Sequence, residues 1–150
     1  QVVAISEHLR ELNASFQTLN PLGVHPDSQA MNKWFDGGAK DVTGHAEAET
    51  QNVRYLTWWM GRIERVLGPQ DFAVGDSLSL ADILLYNTFA ETETLRDGEL
   101  VEGPGCWRRG PMGDQGRMDA ALAKHPRIKA CCATVANNKN IQKWLAMKEF

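Results

Sequence analysis

Four histidines, three cysteines and one acid inside an apolar run are the side chains of this 150-residue chain most suited to chemistry. His8, His25, His45 and His125 show no i,i+4 pairing with one another and no cysteine at metal-ligand spacing, so no metal site is expected. Cys131 and Cys132 are vicinal, and successive side chains on a helix diverge by about 100°, so at most one is expected to face a core. A buried thiol behaves as a small hydrophobe, whereas a nearby cation such as Arg127 or Lys129 could activate one; the structural role is the simpler reading. No nucleophile elbow is present, and Gly103-Pro104-Gly105 runs on into loop sequence instead of opening a helix after a strand. Asp82 has a local explanation. Ser79 can cap a helix while Asp82, three residues on, reaches back to the free amide of Ser79, and Leu78 and Ile83 stand at the flanking positions where a hydrophobic staple forms. The residues thus point to a capped helix start and to no catalytic residue, cofactor ligand or metal ligand.

The elements around these residues are all helical by pattern. Ile5, Leu9, Leu12, Phe16 and Leu19 step by three and four, the stripe of an amphipathic helix over 1–20 that Asn20-Pro21 ends. A short helix is expected from Asp27 to Phe35 in a glycine-containing connection. Val53, Leu56, Met60, Ile63 and Leu67 mark a second long helix over 44–67, stopped by Gly68-Pro69. Trp58 and Trp59 are adjacent on it, so only one is expected to be fully buried, as core packing in preference to an aromatic clamp. The helix after Ser79 is apolar nearly all round, from Leu80 through Ala90, and is expected to be central and buried. Residues 97–116 hold six glycines and two prolines and read as a long loop carrying Trp107, Arg108 and Arg109, an aromatic beside two cations that resembles an interface anchor. Met118–Lys124, then a helix with Pro126 in its first turn and Ile128, Cys131 or Cys132, and Val135 inward, then a terminal helix with Ile141, Trp144, Leu145 and Phe150 complete the chain. No run shows the alternating β-branched pattern of a sheet, so the fold class is all-α, one helical bundle over 1–150.

Composition sets the outer bounds. With 43% hydrophobic and 23% charged residues the chain has the profile of a globular domain, and its longest apolar run, Ile83 to Tyr86, is far short of a membrane span. Cys106, Cys131 and Cys132 are too few for a disulfide framework, which points to a reducing intracellular compartment, cytoplasmic or organellar. The start at Gln1 without a charged leader suggests that an upstream segment, a transit peptide among the options, has been removed. The formal charge of −3 is uneven: residues 1–119 hold 10 Lys/Arg against 18 Asp/Glu, and residues 120–150 hold 6 against Glu149 alone. The basic end lacks the interleaved aromatics of a base-stacking surface, so nucleic acid is not expected as a partner.

The stretch Phe72-Ala73-Val74-Gly75-Asp76-Ser77-Leu78-Ser79-Leu80-Ala81-Asp82-Ile83-Leu84-Leu85-Tyr86 resembles the segment of glutathione transferases that enters the core helix of their C-terminal domain. His125-Pro126-Arg127-Ile128 through Val135 to Ile141-Gln142-Lys143-Trp144-Leu145 is similar to the last helices of that family, with Lys139 where the family usually has proline after Asn. The resemblance implies the helical bundle of the family's C-terminal domain, with 97–116 as an insertion. It also implies that the first helix, including His8 and Arg10, lines one wall of a co-substrate pocket, and that part of the surface serves a homodimer. Enzymes of this family hold glutathione in a preceding thioredoxin-like domain, whose residues are not among these 150. Two readings follow. On the first, the chain is a non-catalytic binding or structural subunit among other protein subunits. On the second, it is the C-terminal half of an active transferase whose other domain binds and activates glutathione for conjugation to electrophiles; glutathione is a ligand only in that case.

Overall fold

The computed structural model describes residues 1–19, 28–37, 54–90, 95–96, 99–100, 112 and 114–147. Among them the chain is helical: α1 (Val2–Leu19), α2 (Ser28–Asp36), α3 (Leu56–Val66), α4 (Leu80–Phe89), α5 (Gln115–Ala123), α6 (Pro126–Ala136) and α7 (Lys139–Ala146). The all-α class read from the sequence holds. One small departure is an antiparallel pair, β1 (Leu95–Arg96) with β2 (Glu99–Leu100), in register Leu95 to Leu100 and Arg96 to Glu99.

The helices share one core. α4 lies between α1 and α6, its most extensive neighbours; α3 bridges α1, α2 and α6, and α5 and α7 flank α6. The α1 stripe does what its spacing requires: Ile5, Leu9 and Leu12 are buried, and Phe16 sets its ring 5.2 Å from that of fully buried Trp34 on α2. The Trp34 indole N–H has no acceptor among the described residues. From α3 the core takes Leu56, Trp59, Met60 and Ile63, followed by Leu67. Trp59 is buried and Trp58 only half-buried, the division expected for neighbours on a helix. Gly37 permits a close approach here, since a Cβ at that position would lie 2.7 Å from the Tyr55 ring.

Several expectations need correction. The helix read as 44–67 does not run through 54–55: Tyr55 is extended and serves as the N-cap of α3, while 44–53 lie outside the described residues. The 97–116 loop is narrowed at both ends. Glu99–Leu100 pair with Leu95–Arg96, and α5 begins at Gln115, not Met118, because the Asp114 carboxylate accepts from the Arg117 amide at 3.0 Å. The middle of that loop, including Trp107, Arg108 and Arg109, lies outside the described residues. The α4 helix is not buried all round, for Leu80 is 60% exposed and Ile83 38%. Both Cys131 and Cys132 are buried, against the expectation of one at most. The physical reason is that α6 is covered by α4, α3 and α5 together, an arc wide enough to take two side chains 100° apart.

α7 begins where the sequence departs from the resembling family. Asn138 accepts from the amides of Asn140 and Ile141 at 3.0 and 3.3 Å, so the helix is capped and Lys139 occupies its first position. Trp144 is 54% exposed on this helix.

Candidate functional site

The carboxylate of Asp82 is fully buried and accepts three hydrogen bonds. Oδ2 takes the Ser79 amide at 2.8 Å and the Ser79 hydroxyl at 2.6 Å, and Oδ1 takes the amide of Ala73 at 2.6 Å. Both halves of a capping box are in place around the extended Ser79 backbone. The sequence spacing accounts for the first two bonds. The third fastens the loop before the helix, in which Gly75 turns with φ +71°, and no local pattern announces it. Leu78 is half-buried and Ile83 faces outward at the same helix start. A carboxylate with its lone pairs so occupied is a scaffold element, since unsatisfied amides in this place would each cost about 1–3 kcal/mol.

A second carboxylate works across a longer distance. Glu64 on α3 accepts from the amides of Arg127 and Ile128 at 2.8 and 3.0 Å, and Arg127 Nη1 donates to the Leu67 carbonyl at 3.0 Å. Pro126 has no N–H to satisfy, and the His125 ring turns back to the Ala121 carbonyl, 2.9 Å from Nδ1. The first turn of α6 is therefore capped by α3, and the last turn of α3 by α6.

The thiols sit behind these caps. Burial, with the charges of Asp82, Glu64 and Asp71, pushes Cys131 up to about 11. Burial, then Cys131 and Asp82, pushes Cys132 up to about 12. Neither is a thiolate near neutral pH, so the activated-thiol option that Arg127 and Lys129 suggested has no support here.

What remains on the surface is a cluster of aromatic and cationic groups where α1 meets α3. Trp58 and Trp59 meet edge to face with centroids 4.7 Å apart, and the Trp59 indole donates to the Arg54 carbonyl at 3.2 Å. The guanidinium carbons of Arg54 and Arg62 lie 5.4 and 5.3 Å from the same ring, that of Trp58. His8 stands 6.4 Å from the Trp59 ring centre and accepts from Arg62 Nε at 3.4 Å. Arg10 turns elsewhere, to an exposed ion pair with Glu7 on its own helix. His8 and Arg10 are thus not brought together, as two residues along a helix face nearly opposite ways. The i, i+4, i+8 spacing of Arg54, Trp58 and Arg62 is the one signal of this cluster that the sequence carries.

Among the described residues no group of three or more His, Cys, Asp or Glu is placed to hold a metal, and no helix is long and apolar enough to cross a membrane. A family profile described as the glutathione S-transferase C-terminal domain matches residues 31–106, just over half of the chain. The chain belongs to that family. Its match takes in most of α2 and all of α3 and α4, so the capped α4 start and the Arg54, Trp58 and Arg62 face both lie within the recognised part of this glutathione S-transferase C-terminal domain. No curated protein and no solved structure matches the chain.

Proposed function

We propose that this glutathione S-transferase C-terminal domain acts as a non-catalytic binding or structural subunit among other protein subunits. The observation that carries the reading is where its chemically capable groups are spent. The Asp82 and Glu64 carboxylates are engaged by backbone amides, and burial keeps the thiols of Cys131 and Cys132 protonated. The groups presented outward, Trp58 with Arg54 and Arg62, are of the kind that anchor protein contacts.

A second reading is favoured by one feature. Leu80 and Ile83 put aliphatic surface on the outside of α4, which a further domain of an active transferase would cover. On that reading the domain is the C-terminal half of an enzyme that conjugates glutathione to electrophiles. The deciding experiment isolates the natural protein and measures its intact mass together with conjugation of glutathione to an aryl halide. A species near 16.7 kDa without conjugating activity supports the subunit reading. A longer chain that is retained on immobilised glutathione and turns over the electrophile overturns it.

A further inference from the structure

The C-terminal end of the chain concentrates one sign of charge. Residues 120–147 hold Lys124, Arg127, Lys129, Lys139 and Lys143 and no Asp or Glu, whereas residues 1–119 hold 10 Lys/Arg against 18 Asp/Glu. Arg127 is spent on the Leu67 carbonyl, and the four lysines are exposed. On α7, Lys139 and Lys143 stand one turn apart, and neither has a hydrogen bond or ion pair among the described residues. Beside them the same end of the chain leaves apolar surface uncovered. Trp144 has an interaction within the chain and is still 54% exposed, and Met147, whose amide donates to the Trp144 carbonyl at 3.1 Å, is 62% exposed. Ile141 is half-buried, and α6 is the helix on which α7 packs.

We infer that α7, with Met147 after it, docks on the surface of an anionic lipid bilayer, Lys139 and Lys143 lying against the headgroups and Trp144 and Met147 pressed among them. Charge complementarity names the occupant. Four of the five cations are lysines, compact charges that a diffuse anionic surface attracts without a matched acceptor for each, and lysine is a residue type depleted from protein interfaces. An acidic protein would be met better by forked guanidinium groups, and the one arginine of this segment is turned to a carbonyl. A nucleic acid would need a series of rings to stack its bases, where this helix presents one. Tryptophan is at home at headgroup depth, and Met147 adds apolar area to it. The acidic remainder of the chain does not forbid the contact, since charges farther than about 10 Å from the lipid are screened at about 0.1 M salt. Such a contact is open to a subunit and to one half of an enzyme alike.

The test uses the 150-residue chain and sucrose-loaded vesicles, either of phosphatidylcholine alone or with about a third of the lipid replaced by phosphatidylserine, separated by centrifugation. Circular dichroism shows that each variant keeps its helices. Binding about tenfold or more tighter to the vesicles with phosphatidylserine is the expected result, weakened about fivefold in Lys139→Gln and in Lys143→Gln and further in the double variant. Arg65→Gln on α3 removes the same charge from an exposed site elsewhere and should stay within about twofold. Trp144→Ala and Met147→Ser should each weaken the binding that survives raised salt, because that part comes from apolar contact. Equal binding to the two kinds of vesicle, a loss in Arg65→Gln as large as in Lys143→Gln, or a preference for duplex DNA over phosphatidylserine vesicles at equal phosphate would each overturn the inference. Vesicle binding that depends on the lysines and ignores both Trp144→Ala and Met147→Ser would overturn the placing of the apolar end among the headgroups.

Discussion

The buried oxygen Oδ1 of Asp82 takes the backbone N–H of Ala73 at 2.6 Å, so a carboxylate that starts helix α4 also fastens the loop nine residues earlier. Asp82→Ala leaves the amides of Ala73 and Ser79 and the Ser79 hydroxyl without their acceptor. A loss of about 3–4 kcal/mol is expected in urea unfolding, against about 1 kcal/mol for Ser79→Ala. The double variant should cost less than the sum, since the two side chains share one network. An Asp82→Ala loss no larger than that of Ser79→Ala would contradict the three-bond assignment.

Glu64 and Arg127 make the corresponding statement between two helices. Glu64→Gln keeps one acceptor for the two amides of α6 and is expected to lose about 0.5–1 kcal/mol; Glu64→Ala keeps none and should lose about 1–2 kcal/mol. Hydrogen exchange supplies the specific readout. The amides of Arg127 and Ile128 should lose protection in Glu64→Ala before the centre of α6 does, and uniform loss along α6 would contradict a local cap.

The thiols carry a pH dependence of defined sign. With folded values near 11 and 12 against an ordinary value of 9.0, Cys131 and Cys132 hold their protons in the folded chain while the unfolded chain releases them. Their contribution is whole below pH 9 and is lost as pH rises through the folded values. Stability should fall across that interval, and a Cys131→Ala, Cys132→Ala variant should show a flatter alkaline limb, whatever the two substitutions cost at neutral pH. A disulfide reagent at pH 8 should label neither residue in the folded chain and both in denaturant.

Two glycines should answer an added methyl with opposite signs. Gly61 lies inside α3 with nothing within 4 Å of a built Cβ, so Gly61→Ala is expected to stabilise the fold by about 0.5–1 kcal/mol through helix propensity and so to raise the melting temperature. At Gly37 the same methyl meets the Tyr55 ring at 2.7 Å, and Gly37→Ala should lower stability by about 1–3 kcal/mol. Parallel thermal melts of the two variants check both.

What the sequence made legible was local, and what it hid was distant. The Ser79 and Asp82 pair could be read because both partners of the box lie within one helical turn, and the α1 stripe because its apolar steps repeat. The amide of Ala73 and the caps between Glu64 and the start of α6 depend on tertiary placement, so no spacing predicts them. An almost wholly apolar α4 has no periodicity to say which side meets solvent, and Leu80 and Ile83 came out exposed. The burial of both vicinal cysteines depends on how many helices surround α6, a property of packing and not of the pair itself. The short β pairing does have a signal, Asp97-Gly98 between the two runs, which reading 97–116 as one loop passes over.

The exchange of caps between α3 and α6 bears on the order in which the molecule assembles. A helix whose first amides are satisfied only by a residue about sixty positions earlier has little to nucleate it alone, because its own His125 is turned away. During synthesis α3 emerges first with Glu64 waiting, and α6 becomes persistent only on docking, so a nascent chain released before residue 127 would leave an open seam in the bundle. Fragments cut between the two helices should accordingly regain structure only when mixed.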